Sequence, residues 1–205
     1  MSEKHMRDTG YMVRLAVLIA VILLLEFTGL GYIKVNILEL TILQIPVLVG
    51  AIVLGPGAGA ILGGVFGATS FFECLGKSAF GVALFAINPF YTFFVCMIPR
   101  ILMGWLCGLI FRGLYRVDKT RILSYGIASL AGAVLNTVFF MASLMLLFGR
   151  SDFIQSLMKG MSVIPFVLGM VGVQGLVEAV VCFLAGTAIS KALAVYTGQW
   201  MPKKI

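Results

Sequence analysis

Charge is scarce in this sequence. Only 11% of its 205 residues are Asp, Glu, Lys or Arg, where a soluble domain carries roughly 25%. Apolar residues make up 61% and the mean hydropathy is +1.10. A water-soluble chain of this composition has too little polar surface to cover itself, so the bilayer is its natural solvent. The single histidine, His5, lies in the polar N-terminal stretch, which leaves zinc or imidazole chemistry without a partner set. Acidic residues are few and scattered, so neither a membrane enzyme nor a bound cofactor is expected. The four cysteines, Cys74, Cys96, Cys107 and Cys182, form no CxxC pair. Three sit inside apolar runs, where a thiol behaves as a small hydrophobe, and Cys74 falls in a loop or helix end. No disulfide framework and no metal site follow from them. No internal repeat is seen, so the inverted-repeat design of many secondary transporters is not supported.

What remains is a series of long apolar runs. The first, Tyr11–Leu30, is too long for a signal-peptide core and lacks a small-residue cleavage pattern, so it reads as a retained helix. A loop over Gly31–Leu40 follows. The next apolar stretch, Thr41–Phe72, is interrupted at Gly55-Pro56-Gly57, which divides it into two helices shorter than the ~20 residues of a full span. A polar-aromatic segment, Glu73–Phe90, leads to a helix over Tyr91–Tyr115. Two more helices cover Ile122–Phe148 and Val163–Val195, with a loop over Gly149–Ser162 between them. The expected architecture is an all-α membrane protein, a single-domain bundle of six transmembrane helices in which helices 2 and 3 are short.

The formal charge of +7 sits in the gaps between these runs, which is the pattern of membrane orientation rather than of a nucleic-acid face. One side carries Lys4, Arg7, Arg14, Arg112, Arg116, Lys119, Arg121, Lys191, Lys203 and Lys204; the other carries Lys34, Lys77, Arg150 and Lys159. Ten against four places both termini in the cytoplasm and the three long loops outside. Arg100 stands alone within an apolar run.

Gly76-Lys77-Ser78 resembles the end of a phosphate-binding loop, but Phe71 occupies the place of the required first glycine. The chain is not expected to hydrolyse ATP. Small residues recur at four-residue spacing in Gly55, Gly59, Gly63 and Gly67, in Gly104 and Gly108, and in Ala16 and Ala20. Such rows let helices approach closely. Internal packing is the expectation for the glycine row, whereas the alanine pair on helix 1 equally suits a partner subunit.

The embedded polar residues carry the most information, because ionisable groups in a membrane are costly and face a cavity or a partner. They are Glu26, Arg100, Asn136, Gln174 and Glu178, with Gln44 near a helix start. Counted from the outer helix ends, Glu26 lies ~6 Å deep, Arg100 ~14 Å, Gln174 ~16 Å, Asn136 ~18 Å and Glu178 ~22 Å. Gln174 and Glu178 share a helix face. Two compatible readings follow: an Arg100–Glu178 ion pair joining two helices, and a pocket open to the outside. Pro99 frees a carbonyl one turn before Arg100. The aromatics of Phe71–Phe94 form either an interfacial belt or a lid over a small amphipathic ligand.

Taken together, the residues resemble a known family. The stretch IPVLVGAIVLGPGAGAILGGVFGATSF (Ile45–Phe71), the Ala16/Ala20 pair and the long segment before helix 4 are similar to the substrate-binding S component of energy-coupling factor (ECF) vitamin transporters. INPFY (Ile87–Tyr91) and PRILMG (Pro99–Gly104) are most similar to its pantothenate-type branch, and the first-loop motif of riboflavin-type members is not seen. The resemblance implies a six-helix protein that binds a vitamin from outside and works with a membrane coupling (T) subunit and two cytoplasmic ATPases. It places Ala16 and Ala20 on the face that meets the membrane partner. It places the ligand among regions that here supply Asn36, Asn88, Tyr91, Arg100, Asn136, Gln174 and Glu178. Another vitamin, a membrane scaffold and a stand-alone secondary transporter are the competing expectations.

Overall fold

The computed structural model describes residues 9–29, 31–35, 38–118 and 122–197, with 32–35, 38–40, 170, 173, 174, 196 and 197 described by backbone alone. Eight helices and one strand pair follow in order: α1 (Thr9–Phe27), β1 (Tyr32–Val35), β2 (Leu38–Thr41), α2 (Gln44–Val53), α3 (Pro56–Glu73), α4 (Ala79–Ile87), α5 (Pro89–Val117), α6 (Leu123–Phe148), α7 (Asp152–Met158) and α8 (Val163–Thr197). Among the described residues, four segments are long and apolar enough to cross a membrane: α1, α5, α6 and the Gly175–Val195 part of α8.

The break between α2 and α3 has a backbone cause. Gly55 adopts φ 104°, a conformation that side-chain-bearing residues rarely take, and Pro56 begins the next helix. Every residue of the ten-residue α2 is buried. It forms the axis of the bundle, and Leu48, Ile52, Leu62, Phe66 and Met103 pack into a core around it.

The glycine row of α3 lies against α5. A Cβ on Gly59 would strike the Gly104 carbonyl, one on Gly63 would strike the Arg100 carbonyl, and one on Gly104 would strike Gly59 in return. The two helices touch backbone to backbone, as small-xxx-small rows permit. That crossing fixes the rotation of α5 and with it the direction in which Arg100 projects.

The three connections expected as loops hold structure. Residues 31–40 include a two-stranded antiparallel hairpin with Tyr32 opposite Thr41 and Lys34 opposite Glu39. Tyr, Ile, Val and Thr in Tyr-Ile-Lys-Val and Leu-Glu-Leu-Thr favour strands, and both runs alternate with the period of two that a hairpin needs, but each is only four residues long. The helical body is accordingly all-α, with one hairpin outside it. The segment before α5 contains α4, started by Ser78, whose hydroxyl accepts from Gly81 N–H at 3.4 Å. The segment before α8 contains α7, capped by Ser151 and closed by Lys159 in the left-handed region. A second core of Leu84, Val95, Leu144, Phe148, Ile154 and Phe166 joins these short helices to α5, α6 and α8. Phe80 of α4 meets Phe153 of α7 with ring centres 5.8 Å apart.

Candidate functional site

A cavity of about 130 Å³ lies beneath α4, at the end of the bundle that carries the hairpin. Its wall is drawn from five elements: Thr41 of β2, Ser70 and Glu73 of α3, Arg100 of α5, Asn136 and Phe140 of α6, and Glu178 of α8. Phe80, Gly81 and Leu84 form its roof. The volume is below the ~300–1,000 Å³ of drug-sized sites, which matches a compact ligand.

Arg100 owes its position to the proline before it. Pro99 has no N–H, so the carbonyl of Val95 loses its helical donor. Arg100 turns back and donates from Nη1 to that carbonyl at 2.8 Å. Its guanidinium carbon stands 4.7 Å from the Phe140 ring centre and 5.6 Å from that of Phe66. Both distances are within cation–π range. Nε is buried and has no hydrogen-bond partner among the described residues. A cation is thus held between a backbone carbonyl and two aromatic rings with donor capacity unspent.

The ion pair between Arg100 and Glu178 is not formed. Glu178 Oε1 instead accepts the backbone N–H of Thr41 at 2.8 Å, which ties the end of the hairpin to α8. The one salt bridge among the described residues joins Lys77 to the buried Glu26 at 3.5 Å, linking the turn after α3 to the end of α1. Asn136 is buried on the cavity wall, and its carboxamide oxygen has no partner among the described residues.

The remaining expected site residues fall elsewhere. Asn88 uses its side-chain oxygen to cap α5, accepting from Phe90 N–H at 3.0 Å and Tyr91 N–H at 3.1 Å. Tyr91 is exposed and packs edge-on against Phe148, outside the cavity wall. Asn36 lies outside the described residues, as does the side chain of Gln174. Thr41, Ser70 and Glu73 line the cavity without having been singled out from the sequence. Glu73 ends an apolar helix, where in sequence a charge looks the same as one in the following loop. Ala16 and Ala20 both lie exposed on α1, in line with exposed Val13, Val17 and Leu24.

Residues 10–189 match the family model described as ECF transporter, substrate-specific component. The chain belongs to this family. It is therefore a multi-pass protein of the bacterial cell membrane and a transport subunit. Among curated proteins this S component is 32% identical, over 165 residues, to the pantothenic acid transporter PanT of Lactococcus lactis subsp. cremoris, covering 75% of this chain and 76% of that one. It is 33% identical over 137 residues to the pantothenate transporter PanT of Leuconostoc mesenteroides subsp. mesenteroides, covering 63% and 65%. The two motifs most similar to the pantothenate branch cap α5 and set Arg100: INPFY provides the Asn88 cap, and PRILMG provides Pro99, Arg100 and the contact glycine Gly104.

Proposed function

We propose that this S component captures pantothenate from outside the cell and hands it to an ECF transporter for ATP-driven uptake. The observation that carries the reading is Arg100, a half-buried cation on the cavity wall whose buried Nε has no partner among the described residues. Pantothenate is a small hydroxylated amide ending in a carboxylate. Its carboxylate is the natural counter-ion of the guanidinium, and its hydroxyl or amide N–H groups are donors for the Asn136 oxygen. The names of the two relatives support the same vitamin. Asn36, Asn88, Tyr91, Gln174 and Glu178 complete the proposed binding region at and around this cavity.

In this reading α1, α2, α3, α5, α6 and α8 are the six membrane helices, α2 being shielded from lipid by the others. Both termini and the Gly55 turn are cytoplasmic, as the Lys/Arg bias requires. The hairpin, α4 and α7 then face outward, and α4 is the lid. Exposed Ala16 and Ala20 dock the membrane coupling subunit, which brings two ATPases, because small residues let a partner helix approach closely.

Calorimetry of the detergent-purified chain against pantothenate and a panel of other vitamins tests this. One-to-one binding of pantothenate alone is expected. One-to-one binding of a different vitamin, or of none by a folded sample, contradicts it.

A further inference from the structure

The cavity wall holds a feature that vitamin binding does not use. Cys74, at the end of α3, and Cys96, on α5, place their sulfur atoms 3.8 Å apart. Both line the cavity and both are free thiols. Cys96 is one helical turn from Arg100 on the same face of α5. Cys74 is the C-cap of α3 and opens the turn that leads to α4, and it abuts Gly81 of the lid: a Cβ there would meet Cys74 Sγ at 2.7 Å. The other two cysteines, Cys107 and Cys182, are buried in the bundle core away from the cavity.

We propose that Cys74 and Cys96 are a redox-modification site, a dithiol that a small external disulfide oxidises to an intramolecular disulfide and that thereby closes the binding cavity. The proposal rests on the outward orientation given above, which exposes the cavity to an oxidising medium. The chemistry balances as two exchanges. One protein thiolate attacks the reagent disulfide, forming a mixed disulfide and releasing one thiol. The second protein thiolate then attacks the mixed disulfide, forming the Cys74–Cys96 bond and releasing the second thiol. Two protein thiols lose two electrons and two protons, and the reagent disulfide gains them.

The geometry determines which part moves. To bond, the sulfurs must close from 3.8 Å to about 2.05 Å. The Cys96 backbone cannot yield, because α5 is packed on the glycine row of α3; a Cβ at Gly67 would already meet the Cys96 carbonyl at 3.0 Å. Cys74 sits at a helix end followed by a turn, so the displacement falls on residues 74–81. Those residues join α3 to the roof. Oxidation pulls the lid down beside Arg100 and removes the space that the ligand carboxylate needs. A bound ligand, by filling the cavity, shields the thiols from the reagent.

The test uses the whole purified chain, first reduced, then treated with 4,4′-dithiodipyridine with and without pantothenate. Expected are a peptide pair cross-linked through Cys74 and Cys96, two thiopyridone equivalents released per cross-link, and pantothenate affinity lower by about tenfold or more. Reductant restores the affinity, and pantothenate present beforehand slows the cross-linking. In Cys74→Ala or Cys96→Ala the remaining thiol stops at the mixed disulfide, so that site releases one thiopyridone equivalent and no cross-linked peptide pair forms. Absence of the Cys74–Cys96 cross-link, or a cross-link that leaves affinity unchanged, overturns the proposal. A reduced chain that forms the cross-link but never binds pantothenate refutes the vitamin assignment and retains the dithiol, so the two failures are distinct.

Discussion

At the scale of the residue, the site is built from groups whose usual partners have been taken away. Pro99 removes a backbone donor, and Arg100 supplies the replacement. That one hydrogen bond and the two aromatic faces hold the guanidinium, leaving the rest of it for a ligand. Asn136 presents an unpartnered oxygen, and truncating it removes one hydrogen bond to the ligand. Asn136→Ala is expected to weaken pantothenate binding by about fivefold, the value of one bond near 1 kcal/mol, in a titration of the folded variant. Glu178 plays a different part, because it accepts the N–H of Thr41. Glu178→Ala orphans that donor and is expected to destabilise the fold by roughly 1.5–3 kcal/mol, whereas Glu178→Gln keeps an acceptor and most of the stability. Thermal unfolding in detergent separates the two; equal melting temperatures would remove Glu178 from its anchoring role.

At the scale of the element, the α3–α5 crossing decides whether a site exists. Gly59 and Gly63 face backbone carbonyls of Gly104 and Arg100, which cannot step aside as a side-chain tip can. Gly63→Leu is expected to cost about 3 kcal/mol or more and to abolish binding by displacing Arg100. Gly113, at the far end of α5, has open space around it. Gly113→Ala is expected to leave binding intact and to stabilise the helix by up to about 1 kcal/mol. A chromatographic profile and a melting curve for each variant check this; a well-folded, ligand-binding Gly63→Leu would contradict it. The glycine spacing made this contact legible in the sequence, because four-residue spacing has a single meaning on a helix. The break between α2 and α3 was legible for a related reason: Gly55-Pro56 is a backbone signal that acts locally. The hairpin, α4 and α7 were not legible. Their runs of four, nine and seven residues are too short for a period to stand out beside long apolar helices.

At the scale of the whole molecule, Arg100, Asn136 and Glu178 from three helices do converge on one cavity. The sequence placed them at comparable depths, because depth follows from counting turns. It did not place Asn88 in its cap, since a capping asparagine and a ligand-binding one look alike until the helix start is known. Nor did it separate the Arg100–Glu178 pair from the pocket, because pairing depends on azimuth as well as depth. The exposed stripe of α1 belongs to this scale too. Ala16→Trp with Ala20→Trp is expected to block assembly with the coupling subunit while pantothenate binding survives; normal co-purification with the partner would refute the docking face. The central claim is that the cavity reads a carboxylate through Arg100. Its most direct test is calorimetry of the wild type and Arg100→Ala with pantothenate and with panthenol, the alcohol that replaces the carboxylate by a hydroxymethyl group. The wild type is expected to prefer pantothenate by about 10- to 100-fold, the value of a charge-assisted pair, and Arg100→Ala to lose that preference. A folded Arg100→Ala that still discriminates between the two would place the carboxylate elsewhere and contradict the account.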